Sequence, residues 1–270
     1  MERGVLPYFW KASRNYMSPA RTTSGAPISS IGRGIAVLAC FSVRFRSLTL
    51  SELSAKSKLP MSSTHRVVAE LVTGGFLVRG KDKKYRIGTR LWSIAQLAPV
   101  SEQLRERALP TLARLYEETG ENITLAVLDR GQALYVDRLV GERTIPSVAR
   151  AGGHLPLHTT GVGKVLLAYQ SKENIEKYLS RPLQRPTPYS IADPVRLLAE
   201  LTEVRAQGYS VTRQEMTAGS GSVAVPILRG GRAIAAVGVV AHLAKLDVNR
   251  LVATLSAAAN TIAHELEEEH

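Results

Sequence analysis

At 270 residues, 44% hydrophobic and 21% charged, the chain has room for two ordinary globular domains. Its one cysteine, Cys40, excludes an intrachain disulfide and a cysteine-built metal centre, and no apolar run approaches the ~20 residues of a membrane-spanning helix. The net charge of +12 is uneven: residues 31–98 carry 12 Lys/Arg against 3 Asp/Glu, while residues 99–270 carry 19 against 19, so a polyanion is the expected partner of the N-terminal third.

Residues 1–29 have the composition of a disordered tail, most plainly from Ser18 to Pro27. Tyr8-Phe9-Trp10-Lys11 offers a stacking and phosphate-contacting patch, and Met17 is a second candidate start. Met1 to Met17 lacks a secretory apolar stretch, so the expectation is a cytoplasmic protein with no membrane partner. A first helix is predicted from about Ser30 to Phe41, with Ile31, Ile35, Leu38, Cys40 and Phe41 as the face on which other helices pack.

Thr49-Leu50-Ser51-Glu52 is a capping-box pattern, opening a short helix that buries Leu50 and Leu53 and ends near Ser57. Pro60 stops any continuation and opens the next helix, about Met61 to Thr73. There Val67, Val68, Leu71 and Val72 form an inner face, and Ser62, His65, Arg66 and Ala69 an outer one. Hydroxyl, imidazole and guanidinium groups beside a small alanine suit base edges and phosphates, so Ser62, Ser63, Thr64, His65 and Arg66 are the candidate DNA contacts. Gly74-Gly75 ends the helix. Phe76–Arg79 and Tyr85–Ile87 then form a hairpin whose tip places Lys81, Lys83 and Lys84 for phosphate contact. Charge alone would admit RNA or a membrane; charge with two helices, a tight turn and a basic hairpin predicts double-stranded DNA.

A linker helix is expected over residues 91–100. The next, Ser101 to Glu118, should break near Pro110, turn Leu104, Leu109, Leu112 and Leu115 inward, and end at Gly120. Two hairpins follow from the turn sequences Asp129-Arg130-Gly131-Gln132 and Arg229-Gly230-Gly231-Arg232. Helices are predicted near Lys172–Leu179 and Pro194–Ala206, and a last one buries Leu251, Leu255, Ile262 and Leu266. The mixture implies an α+β domain rather than a parallel dinucleotide fold.

Between Gly152 and Ala168 runs Gly-Gly-His-Leu-Pro-Leu-His-Thr-Thr-Gly-Val-Gly-Lys-Val-Leu-Leu-Ala. A phosphate loop ending at Gly163-Lys164 would need glycine at 158 and a hydroxyl residue at 165; His158 and Val165 stand there, which excludes nucleotide binding. His154 and His158 form either a metal pair or two structural histidines, and the absence of nearby cysteine favours the second. Ser222, His158 and Glu215 are the one trio suggestive of a hydrolase, but Gly219-Ser220-Gly221-Ser222 is not the Gly-x-Ser-x-Gly of a nucleophile elbow.

The segments Ser30–Phe41, Leu50–Leu77 and Tyr85–Leu91 resemble the winged helix-turn-helix of the IclR family of bacterial transcription regulators. Pro156-Leu157-His158 running into the glycine loop, Gly120–Val127, and Gly208-Tyr209-Ser210-Val211 with Glu215 resemble its effector domain. The resemblance covers about residues 30–265. It implies a tail over 1–29, a winged domain over 30–90, a linker helix over 91–100, and a GAF-like effector domain over 101–270. It implies no cofactor.

Carried over residue by residue, the family's small-molecule pocket falls on Gly161, Val162, Thr212, Ser222, Gly238 and Val240. Members that bind small carboxylates often have serines where Gly238 and Val240 stand, and an acid where Thr212 stands. Loss of those groups removes partners that a buried carboxylate needs, so a less polar effector is expected, such as an aromatic acid or a larger organic acid. The resemblance also implies a homodimer through the N-terminal domains, a tetramer through the effector domains, and repression of a catabolic operon. One winged domain reads a half-site, so the operator should be a pseudo-palindrome with half-sites about one helical turn apart. Two other readings stay open: an enzyme fused to a DNA-binding module, and a DNA binder indifferent to any effector.

Overall fold

The computed structural model describes residues 28–42, 45–98, 104–141, 145 and 148–267. Apart from Ile28 and Ser29, the expected tail with its Tyr8–Lys11 patch lies outside these residues, as does the start of the helix expected from Ser101. The chain forms two units, Met1–Ala98 and Pro99–His270.

The first unit opens with α1 (Ser30–Leu38), whose N-terminus is capped by the Ser29 hydroxyl accepting from Gly32 N–H at 3.1 Å. Thr49 and Glu52 close the reciprocal capping box that starts α2 (Leu50–Ser57). Lys58, in a left-handed conformation, then turns the chain toward Pro60 and α3 (Met61–Thr73). Gly74 and Gly75 end α3 and lead into the hairpin β1 (Leu77–Arg79) and β2 (Tyr85–Ile87). Leu48 exchanges two backbone hydrogen bonds with Tyr85, which ties the hairpin to the segment before α2. Val37, Phe41, Leu48, Leu53, Leu59, Val67, Val68, Leu77 and Tyr85 make the core.

One expectation fails here. Ile31 and Ile35 are 77% and 62% exposed; Phe41 enters the core and Leu38 and Cys40 pack against it as expected, joined by Val37. Helix α1 is apolar on two sides: Val37 faces the core, while Ile31 and Ile35, with Ile28 just before the helix, lie exposed. After β2 comes α4 (Thr89–Gln96), which buries no residue; Trp92 and Leu97 are exposed.

In the second unit, α5 (Glu106–Thr119) holds Pro110 without a break. A wider, π-type turn at Leu104–Arg105 precedes it, a winding that accommodates a missing backbone donor. Leu104, Leu112 and Leu115 face the core, whereas Leu109 is exposed, contrary to the pattern expected of an interrupted helix. The strands are β3 (Asn122–Asp129), β4 (Gln132–Leu139), β5 (His154–Leu155), β6 (Ser210–Arg213), β7 (Ser220–Arg229) and β8 (Arg232–His242). They form one antiparallel sheet in the order β5-β4-β3-β8-β7-β6. Arg130 and Gly131, both with positive φ, close the β3–β4 hairpin as such two-residue turns require. The remaining helices are α6 (Gly161–Ala168), α7 (Lys172–Leu179), α8 (Pro194–Gln207) and α9 (Val248–Glu265).

Strand alternation divides the sheet's central residues into two sets. Ile123, Leu125, Val223, Val225, Val237 and Val239 pack with α5 and α9 in the main core. Thr124, Ser222, Ala224, Gly238 and Val240 face the other way, toward α6, which is buried along its whole length. Among the described residues no helix is long and apolar enough to cross a membrane.

Leu53 is fully buried at the centre of the first core. Leu53→Ala should destabilise that unit by about 3 kcal/mol, read by denaturant unfolding; a loss below ~1 kcal/mol would contradict this packing.

Candidate functional site

Helix α3 presents Ser62, His65, Arg66 and Ala69 to solvent, with Ser63 half-buried beside them. Thr64 departs from expectation. It is fully buried, and its hydroxyl donates to the Pro60 and Leu59 carbonyls at 3.1 and 3.4 Å. The helix phase turns this position into the core, where the hydroxyl secures the first turn. Position 60 carries no side-chain cap because it is proline, so the first N–H groups of α3 have no side-chain acceptor and remain available to an anion.

At the hairpin tip Lys81 and Lys83 are exposed and Lys84 half-buried. Asp82 is bound by Arg86 through two bonds, 3.0 and 2.5 Å, and the guanidinium holds its carboxyl down at about 2. Arg86 is thereby committed to shaping the tip, leaving the three lysines as its outward charges.

The second site is a cavity of about 510 Å³, its open mouth included, between the first turn of α6 and the sheet. All six residues transferred by resemblance, Gly161, Val162, Thr212, Ser222, Gly238 and Val240, line it. Two adjacent cross-strand rows make its floor. One runs Thr124, Gly238 and Ala224; the other runs Val240, Ser222 and Thr212. Thr124, Tyr135, Thr159 and Met216 line it as well and were missed. Thr124 was detectable in principle, since it alternates with Ile123 and Leu125; Tyr135 and Met216 carried no local signal beyond core composition.

Close approach shapes this cavity. A Cβ on Gly161 would lie 2.7 Å from Ser222 Oγ, and one on Gly238 would lie 3.0 Å from Ala224 Cβ and 3.1 Å from Val162 Cγ1. Thr160, at the N-cap of α6, does not cap it; its hydroxyl goes back to Pro156 O at 3.1 Å. The first turn therefore leaves N–H groups without an intrahelical acceptor beside the cavity, where a helix also presents its positive end. Thr212 Oγ1 and Ser222 Oγ lie 2.6 Å apart, so one hydroxyl proton is used between them and one is left for a ligand. Thr124 gives its hydroxyl to Gly238 O. Burial raises the Tyr135 phenol far above its ordinary value, keeping it neutral. No charged side chain lines the cavity among the described residues.

The two histidines have separate engagements. His154 Nε2 meets Asp129 Oδ2 at 2.7 Å. His158 Nε2 lies 2.8 Å from Gln184 O, which can only accept, so Nε2 carries the proton and Nδ1 accepts from the Tyr178 hydroxyl at 2.7 Å. Burial lowers the His158 pKa from 6.5. The hydrolase-like trio is dispersed: Ser222 bonds Thr212, His158 bonds Tyr178 and Gln184, and Glu215 bonds Lys164. Lys164 was read as part of a rejected phosphate loop and, by resemblance, as the start of the effector-domain helix; it is fully buried, and its ammonium binds Glu200 and Glu215. Burial pushes the Glu215 carboxyl up, against the lowering effect of Lys164.

Two outcomes follow from this packing. Gly161→Ala should cost roughly 1–3 kcal/mol by forcing a methyl against Ser222 Oγ. Adding Ser222→Gly should recover part of the loss, a coupling of ~0.5 kcal/mol or more in thermal or denaturant unfolding; strict additivity would refute the contact. His158 binds its proton more weakly folded than unfolded, so its contribution is present above pH 6.5 and lost as pH falls through the lowered folded value. The stability difference between wild type and His158→Gln should therefore shrink on acidification below pH 6.5, and a difference independent of pH would exclude a buried neutral imidazole.

Comparison with known proteins gives one consistent result. Residues 30–80 match the IclR helix-turn-helix domain, and residues 97–265 match the family described as bacterial transcriptional regulator IclR C-terminal. The Pca regulon regulatory protein of Pseudomonas putida is 30% identical over 246 residues, 88% of this chain and 84% of that protein. The transcriptional repressor IclR of Escherichia coli is 32% identical over 207 residues, 74% and 76% of the two chains. Among solved structures, an IclR homolog from Microbacterium hydrocarbonoxydans complexed with 4-hydroxybenzoate superposes with a TM-score of 0.86 at 35% identity, covering 89% of this chain and all of that one. The two matched regions correspond to the winged helix-turn-helix and to the α+β domain that holds the cavity. The chain belongs to the IclR family of bacterial transcriptional regulators, and is a ligand-responsive, DNA-binding regulator.

Proposed function

We propose that the protein acts in the cytoplasm as a homodimeric repressor of a catabolic operon, released from its operator by an aromatic carboxylic acid. The observation that carries the effector class is the cavity itself. It combines an uncapped helix N-terminus and a hydroxyl proton left over from the Thr212–Ser222 pair with walls that carry no charged side chain among the described residues. That suits one carboxylate on a largely apolar body, and suits poorly a small polyoxygenated acid, whose extra oxygens would lie unpaired. The 4-hydroxybenzoate complex of the Microbacterium relative supports the same class.

DNA contacts are assigned to Ser62, Ser63, His65 and Arg66 on α3 and to Lys81, Lys83 and Lys84 on the hairpin, with Thr64 removed because it is buried. The exposed stripe Ile28, Ile31 and Ile35 supports a dimer, which a pseudo-palindromic operator requires. Chemistry on a substrate has no support in the dispersed Ser222, His158 and Glu215.

The test is binding of the full-length protein to its own upstream DNA, titrated with salt and with a panel of aromatic and aliphatic acids. Tight, salt-dependent binding relieved by an aromatic acid is expected. Response to pyruvate or glyoxylate in preference to every aromatic acid would overturn the effector class. Arg66→Ala should weaken operator binding by ~1–3 kcal/mol and relax one base position; unchanged affinity would remove Arg66 from the interface. Ser222→Val should leave DNA binding intact and weaken the response to acid, whereas loss of DNA binding would make Ser222 a structural residue.

A further inference from the structure

The most deeply buried charge in the effector domain takes no part in that account. Lys164 sits on α6, one turn beyond the Gly161–Val162 edge of the cavity, and is fully buried. Its ammonium binds Glu200 on α8 and Glu215, 2.7 Å away, in the turn between β6 and β7. Both carboxylates are distant in sequence, and Glu215 is itself buried. Replacing a buried ion pair by apolar side chains of similar volume is often neutral or stabilising, so stability alone is a weak reason for a cluster here. What it supplies is a fixed direction of approach for three elements at once.

The turn it holds is the one next to the cavity. Gln214 adopts φ +61°, a left-handed conformation uncommon for a residue with a side chain, and its amide oxygen accepts from Gly219 N–H at 2.9 Å. Thr187 donates to Gln214 O and Ser190 to Glu215 O, both at 2.7 Å. The next two residues, Met216 and Thr217, form part of the cavity wall. Met216 sulfur accepts from the Thr159 hydroxyl at 3.3 Å, across to the segment that leads into α6. The wall and the α6 end of the cavity thus meet through two links, Lys164 with Glu215 and Thr159 with Met216, of which only the first is ionic.

We propose that Lys164 and Glu215 are positioning residues for the effector: their buried bond sets the 214–217 wall at a fixed distance from the α6 N-terminus. Neither side chain touches the ligand. The role rests on the cavity being the effector site, as set out under the proposed function.

The test uses the full-length protein with 4-hydroxybenzoate as probe. Glu215→Ala leaves Lys164 paired with Glu200 and removes the wall's ionic tie to α6, while the bonds from Thr187, Ser190 and Thr159 remain. Glu215→Gln keeps an acceptor oxygen for the ammonium at the same reach. Calorimetric affinity for 4-hydroxybenzoate should fall about tenfold or more in Glu215→Ala and stay within about threefold of wild type in Glu215→Gln. Operator affinity without acid should be unchanged in both. A purely structural residue would lower the unfolding temperature while leaving the affinity of the folded protein as it was. Should Glu215→Ala not fold, Glu215→Asp withdraws the carboxylate by one methylene and carries the same expectation. Wild-type affinity in the Ala or Asp variant, or equal losses in Ala and Gln, would overturn the proposal.

Hydrogen exchange without ligand tests the same bond independently. Amides of residues 214–220 should exchange faster in Glu215→Ala than in wild type, with Glu215→Gln close to wild type. If wild type binds none of the acids, the effector reading fails, and the exchange comparison still decides whether the bond holds the wall.

Discussion

The effector domain is organised around how closely α6 lies against the sheet. That helix is buried from Gly161 to Ala168, and its first turn approaches β7 and β8 at positions where no side chain fits. Gly161 faces Ser222 and Gly238 faces Val162, so backbone stands where side chains would otherwise keep helix and sheet apart. The cavity lies beside this contact. Its polar character comes from what close approach leaves exposed, an uncapped helix end and two hydroxyls that largely satisfy each other. A bulkier floor would displace the helix, and a capped helix would have fewer donors to offer.

Charge is handled differently in the two units. The first carries an unbalanced surplus on an exposed helix face and hairpin tip, where it stays solvated and available to phosphates. One acid, Asp82, is spent on Arg86 to shape the tip rather than to neutralise its lysines. The second unit is balanced overall, and its one fully buried lysine is matched by two carboxylates. Solvated charge gives affinity for DNA, whereas buried charge fixes geometry.

Most of the fold was legible because its signals are local. The Thr49–Glu52 capping box, the Arg130-Gly131 and Gly230-Gly231 turns, and the 3.6- and 2-residue periods each depend on a few neighbouring residues. Surfaces were not legible on the same terms. Ile31, Ile35 and Leu109 have core composition but lie exposed, since periodicity cannot separate a face that meets the core from one that stays free of it. Thr64 failed through phase: the first turn of α3 carries hydroxyls on both faces, and only one face is exposed. In the cavity, family resemblance found the floor and the helix end. Lys164 with Glu200 and Glu215 could not be found, because the partners lie 36 and 51 residues away and lysine in an apolar helix resembles an ordinary surface charge.

In the proposed complex this cavity receives the carboxylate of an aromatic acid at the N-terminus of α6. A crystal structure of the full-length protein with 4-hydroxybenzoate tests it most directly. The carboxylate should rest on the backbone N–H groups of Gly161 and Val162, within reach of the Thr212–Ser222 pair. A ligand bound elsewhere, or one whose carboxylate points away from α6, would contradict it.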